Sequence, residues 1–451
     1  MGSIAEIIEN EGIPTASLAM DTHVSTFRAG QSLQTPLRSE KIFPDRLQNK
    51  DEAAQIGEES YDFIVEAFTG SPLPDTVVKE GNLFKPAQET ITFQADSYEK
   101  AVDEFNKYFL EMSWSDTLPL IAPTREKVDY LLTGTDRAPS EVIGNMKPSK
   151  GQITVETVAI NAAMAGAEPE YMPVIITALE LIADQPYSNW RSGHPLIIVN
   201  GPISREIGIN YNNRVFGPNT SSPAGGAIGR AVSLTMRNAG GFGYGLNPSS
   251  QQGHPGMYAG LVLAEAEWNS EDFSFETSYA EDLGFKRDDN VVTVLSVMGT
   301  QAIDRGDKLV GVAESMPAHA HHWKKTKEEW GNRTAGILVM NPLVAGNYAS
   351  EGMTKQDIKE YLSENATVSR DAFIKLAAGG DEANASELAK ELLATYGDRI
   401  PIAPPEAYTV ISAGGWCTCC PYTLMATDSF MDKPMSKLID LPHNWNSLIQ
   451  D

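Results

Sequence analysis

Pro195-Leu196-Ile197-Ile198-Val199-Asn200-Gly201-Pro202 is the stretch on which the fold turns. Its aliphatic run is short, rich in β-branched residues and closed by an Asn-Gly-Pro turn, which fits a strand buried on both faces. Such a strand needs helices packed against it, and they are legible on both sides. Upstream, Val155 to Gly166 carries an apolar helical pattern, and Pro173 to Ala183 opens with proline at a first-turn position. Downstream, a helix is expected from about Gly226 to Asn238. The runs Val291 to Val297, Gly336 to Met340 and Tyr408 to Ser412 read as further strands. Between the last two, the pattern predicts a helix at Val344 to Tyr348 and another, capped by Thr354, reaching Leu362. Strands alternating with helices predict an α/β protein with a largely parallel sheet.

Further out, apolar positions at Ala101, Phe105, Tyr108, Phe109 and Met112 predict a helix over 97–112, and Thr124 caps a second one ending near Leu132. The opening segment reads as a helix (Ile4 to Glu11) and a strand (Ile13 to Met20), with a short helical pattern near Tyr61 to Phe68. Gly70 to Glu89, rich in proline, glycine and charge, reads as a linker. A chain of 451 residues with 41% hydrophobic content exceeds one comfortable core. The expected division is an N-terminal segment over 1–90, a central α/β domain over 91–290 and a C-terminal α/β domain over 291–451.

Sixty acidic against 35 basic side chains leave a net charge of −25, which repels nucleic-acid backbones and anionic membranes. No apolar run approaches the roughly 20 residues of a membrane span, and Met1 to Asn10 has no secretory pattern, so a cytoplasmic protein is expected. Its expected partners are a small-molecule substrate and, as possibilities of assembly, a second copy or a small cysteine-containing subunit.

All 3 cysteines fall within four residues, in Gly414-Gly415-Trp416-Cys417-Thr418-Cys419-Cys420-Pro421. A disulfide framework spreads its cysteines along the chain, so this clustering marks a site. It leaves the Tyr408 to Ser412 strand at its carboxyl end, where open α/β sheets gather ligands. Cys417-x-x-Cys420 brings two sulfurs within reach of disulfide exchange, and with Trp416 it is locally similar to the Trp-Cys-x-x-Cys of thioredoxins. In this reading Cys417 attacks and Cys420 resolves. With Cys419, the three thiolates are alternatively ligands for a transition metal such as Zn, Cu, Fe or Co, in the manner of the cysteine claw of nitrile hydratases, for a hydratase, hydrolase or lyase. A non-catalytic subunit that depends on a partner is the third reading.

Other chemistry-bearing residues are sparser. His319 and His321, on one side of an extended Pro317 to His322, form a weak metal pair. Gly225-Gly226 ahead of Arg230, at a helix start, offers backbone N–H groups and a cation to an anionic substrate. Asn200, at the strand-end turn, and His254, in a Gly-His-Pro-Gly turn, complete the expected substrate-binding set. Glu265 and Glu267, with His254, are candidates for acid–base work.

Longer phrases carry a resemblance. They include Trp114-Ser115-Asp116-Thr117-Leu118-Pro119, Thr154-Val155-Glu156-Thr157-Val158-Ala159-Ile160-Asn161-Ala162-Ala163-Met164-Ala165-Gly166, Val199-Asn200-Gly201-Pro202-Ile203 and Ile439-Asp440-Leu441-Pro442-His443-Asn444-Trp445. Together they resemble the UGSC-motif (seleno)proteins over most of residues 110 to 451. That resemblance implies a thiol–disulfide oxidoreductase-like protein with a thiol-centred site. The family's Sec/Cys-Gly-Ser-Cys loop, which precedes a Gly-Ile-Pro-Thr strand, is absent, although Gly12-Ile13-Pro14-Thr15 is present. The resemblance then implies either that a separate subunit supplies those thiols or that Cys417, Cys419 and Cys420 have taken over the chemistry.

Overall fold

The computed structural model describes residues 90–112, 114–147, 151–185, 190, 193–212, 214–217, 219–220, 222–241, 256–267, 275–303, 308–316, 336–415, 422–427 and 434–450, preceded by three elements at 17–20, 40–43 and 50–69. In chain order these three are β1 (Ser17–Met20), β2 (Glu40–Phe43), parallel to β1, and helix α1 (Lys50–Thr69). The expected helix over Ile4 to Glu11 and the linker over Gly70 to Glu89 lie outside the described residues.

Next come α2 (Tyr98–Glu111) and α3 (Arg125–Leu132), the latter capped by Thr124, whose side chain accepts from the Lys127 N–H. The antiparallel pair β3 (Val142–Met146) and β4 (Gly151–Thr154) leads into α4 (Val155–Ala165), which Gly166 ends in a left-handed conformation. Helix α5 (Met172–Ile182) carries proline in its first turn, as expected. Strand β5 (His194–Asn200) is buried along its whole length. It is followed by α6 (Ala224–Gly240), β6 (Leu261–Ala264) and the long β7 (Val291–Ile303). The remainder runs through α7 (Leu309–Ser315), β8 (Gly336–Met340), α8 (Pro342–Ser350) and α9 (Lys355–Asn365). A small unit follows, built of β9 (Thr367–Ser369), α10 (Arg370–Ala378), α11 (Glu387–Tyr396) and β10 (Arg399–Pro401), with its own core around Phe373, Leu392, Leu393 and Ile400. The chain closes with β11 (Tyr408–Ser412), β12 (Tyr422–Thr427) and β13 (Met435–Leu438).

Seven strands form one sheet in the order β11-β8-β12-β7-β5-β6, with β13 beside the first half of β7. It takes strands from both sides of residue 290. The α/β class is as expected, but the sheet is mixed rather than largely parallel. Only β5 with β6 and β8 with β11 pair in parallel; β7 runs against β5, and β12 runs against both β7 and β8. The reason lies in the connections, since a parallel crossover takes a dozen or more residues and β11 reaches β12 through residues 413–421 alone.

Alternation along β8 divides the core. Ile337 and Val339 face the large cluster that contains β5, β6, α4, α5 and α6. Leu338 and Met340 face a second cluster with Val312, Val344, Ile358 and Leu362 from α7, α8 and α9. The sheet also curls until its ends meet: the Ala266 N–H, two residues past β6, donates to the Ser412 carbonyl at the end of β11 (2.8 Å). That contact brings two strand ends far apart in sequence to one place. Among the described residues, no helix is long and apolar enough to cross a membrane.

Candidate functional site

β5 ends in Asn200, and the chain turns at once through Gly201. This glycine has φ +92°, and a Cβ there would stand 2.3 Å from the Asp289 carbonyl oxygen, so the turn has no room for another residue. The parallel partner β6 ends one residue before Glu265, because Val199 pairs with Ala264. Glu265 and Glu267 alternate about Ala266, so both carboxyl groups turn to the same side of an extended segment.

There they meet Asn200. Its Nδ2 donates to Glu265 Oε2 (2.8 Å) and to Glu267 Oε2 (3.1 Å), bridging the two acids. The Gly201 N–H donates to Glu267 Oε1 (2.7 Å), and the Tyr279 N–H donates to Glu265 Oε2 (2.6 Å). Lys355 Nζ, itself buried, lies 3.4 Å from Glu265 Oε1 and 2.9 Å from Asp282 Oδ2, over the Phe275 ring. Its place is fixed by a capping box: Thr354 accepts from the Asp357 N–H and Asp357 accepts from the Thr354 N–H, so Lys355 is the first residue of α9.

The cluster is almost wholly withdrawn from water, with Asn200 and Glu265 at 0% exposure and Glu267 at 5%. Burial first, and then the neighbouring Glu265 charge, push the Glu267 carboxyl up to about 7; hydrogen bonds from Gly201, Asn200 and Ser278 pull the other way without prevailing. Among the described residues Glu265 has an ammonium partner in Lys355 and Glu267 has none. On the next turn of α9, burial and the Lys355 charge lower the Lys359 ammonium, while Asp282 opposes them. Two polar atoms stay unmatched: the Tyr279 hydroxyl and, between the acids, Asn200 Oδ1 are buried with no hydrogen-bond partner. Reversing the amide would set that oxygen against two carboxyl groups, so the orientation stands.

A buried carboxyl that titrates near neutrality is poised to take up and give back a proton, as acid–base catalysis requires. Of the residues singled out in the sequence, the structure unites Asn200, Glu265 and Glu267. Arg230 is engaged elsewhere: its Nε and Nη2 donate to the buried Asp116 carboxylate (2.7 and 3.0 Å), and Nη2 also donates to the Pro119 carbonyl (2.9 Å). Gly226 lies exposed in the first turn of α6, with nothing within 4 Å of a Cβ placed there. Cys417, Cys419, Cys420, His254, His319 and His321 lie outside the described residues. The chain on either side of the cysteines is described: Ser412 pairs with Met340 on one side of β8, Tyr422 pairs with Met340 on the other, and the Gly414 N–H donates to the Tyr211 carbonyl. Among the described residues no three His, Cys, Asp or Glu side chains are placed to hold a metal ion.

Lys355, Asp282, Ser278 and Tyr279 were not legible as site residues. A partial signal existed in Ser278-Tyr279-Ala280-Glu281, a capping-box pattern that forms as such and holds the Tyr279 N–H at the start of a helical turn. No family model, no curated protein and no solved structure matches the chain.

Proposed function

We propose that the chain is a thiol enzyme acting on a small organic molecule, with Cys417 as nucleophile and Glu267 as the group that moves the proton. One observation carries this reading: the Ala266 N–H, between Glu265 and Glu267, is bonded to Ser412, five residues ahead of Cys417 in the chain. Covalent reach alone keeps Cys417 within roughly 17 Å of Ser412. A base titrating near 7 suits a thiol whose ordinary value is about 8.5, because the two proton affinities are close.

In this reaction the Glu267 carboxylate takes the Cys417 proton as sulfur forms a bond to an electrophilic carbon. The bond to the leaving group breaks, its electron pair departs with that group, and Glu267 hands over the proton. Water then attacks the same carbon and gives a proton to Glu267; sulfur leaves with the bonding pair and recovers a proton from Glu267. The net change is replacement of the leaving group by hydroxyl.

The test is alkylation of Cys417 by iodoacetamide across pH 5.5 to 9, followed by peptide mass spectrometry in the wild type and in Glu267→Gln. The expected wild-type rate inflects near 7, and at pH 7.5 it exceeds the variant's at least about tenfold. Superimposable profiles that rise only with an ordinary thiol would remove Glu267 from the reaction. A Cys420→Ser protein that accumulates a mixed disulfide with a small thiol would instead assign the loop to redox exchange.

A further inference from the structure

The carboxylate cluster is lined by acceptors and short of donors. Glu265, Glu267 and Asp282 bring three carboxyl groups, and the cations facing them are Lys355, bonded to Glu265 and Asp282, and the half-buried Lys359 on the next turn of α9. Tyr279, on the one-turn helix beside them, presents its N–H to Glu265. The amide donors at the heart of the cluster are committed: both Asn200 amide contacts go to carboxylates, as do the Gly201 and Tyr279 N–H groups. Left over are the Tyr279 hydroxyl and the Asn200 Oδ1 acceptor, the latter buried on a side chain that reaches between the two acids. A buried carbonyl oxygen without a donor costs about 1–3 kcal/mol, so the site is complete only when a donor arrives. Carboxylate oxygens beside an amide oxygen are the complement of a positively charged nitrogen bearing several hydrogens.

We infer that this cluster binds a cationic N–H group of the substrate, an ammonium or amidinium, with Asn200 Oδ1 and the Glu267 carboxylate as its acceptors. The inference rests on the reading of Glu267 as part of the active site, and it names the substrate class. It also gives the thiol reaction a suitable leaving group, since an amine departing from carbon takes the proton that Glu267 carries.

The test follows the thermal midpoint of the purified full chain against methylammonium and acetamidinium chlorides, with potassium and tetramethylammonium chlorides at equal ionic strength as cations that lack N–H donors. At pH 8 the first two salts are expected to raise the midpoint and the second two are not. A Glu267 that titrates near 7 is about one-tenth ionised at pH 6 and nine-tenths at pH 8, so the concentration for half effect rises about tenfold at the lower pH. Glu267→Gln, which keeps the shape of the side chain, is expected to abolish both the shift and its pH dependence. Cys417→Ser is expected to leave both in place, so failure here is separable from failure of the alkylation test. Equal effects of all four cations, or a shift that survives in Glu267→Gln, would overturn the inference and assign Asn200 Oδ1 to a buried water.

Discussion

Replacing Glu267 by glutamine is predicted to make the protein more resistant to unfolding at alkaline pH. The carboxyl titrates at about 7 in the folded chain against an ordinary value of 4.5. Between those values the folded state binds the proton and the unfolded state has lost it, so stability falls as pH rises through this window and the loss is complete above the folded value. That displacement corresponds to about 3 kcal/mol in full, most of which is lost between pH 5 and pH 8. Glutamine has no such titration, but its amide nitrogen replaces one acceptor, so either the Gly201 N–H or the Asn200 amide loses a partner at a pH-independent cost of about 1 kcal/mol. The two proteins should be about equally stable at pH 5, and the variant about 2 kcal/mol ahead at pH 8. Urea unfolding of both, followed by tryptophan fluorescence at pH 5, 6, 7 and 8, measures the gap. A gap that does not change with pH would refute the argument, because a buried acid with a raised titration must transmit it to stability.

Three further outcomes follow from the same contacts. Arg230→Leu removes the counter-ion of the buried Asp116 and should cost about 3–5 kcal/mol, read as a lower unfolding midpoint at pH 7. Gly201→Ala sets a Cβ against the Asp289 carbonyl and shifts the N–H that Glu267 accepts; it should cost at least about 2 kcal/mol in urea unfolding and move the Glu267 titration further upward. Thr354→Ala opens the capping box that positions Lys355 and should cost about 1 kcal/mol, with faster hydrogen exchange confined to the first turn of α9.

Four of the buried strands were legible as predominantly apolar runs rich in β-branched residues: Leu196 to Val199, Val291 to Val297, Gly336 to Met340 and Tyr408 to Ser412 all lie in strands. Their direction was not legible, because burial on both faces produces the same apolar run in parallel and antiparallel strands. β6 and β12 were not legible because their apolar runs, Leu-Val-Leu-Ala and Leu424-Met425-Ala426, are too short to separate strand from helix. The same limit governs the site. The Asn200 turn and the two-residue spacing of Glu265 and Glu267 were visible, but their meeting depends on β6 lying beside β5, a pairing 65 residues apart in sequence. Lys355 reads as an exposed helix-start cation until α9 packs over the acids, when it becomes the buried partner of Glu265 and Asp282.

The most direct measurement of the central claim is an infrared pH titration of the protonated carboxyl band, taken as the difference between wild type and Glu267→Gln. A band lost with a midpoint near 7 and missing from the variant is the predicted result. A difference spectrum without that band above pH 5 would mean that Glu267 is an ordinary ionised carboxylate, and would contradict its assignment as the proton-moving group.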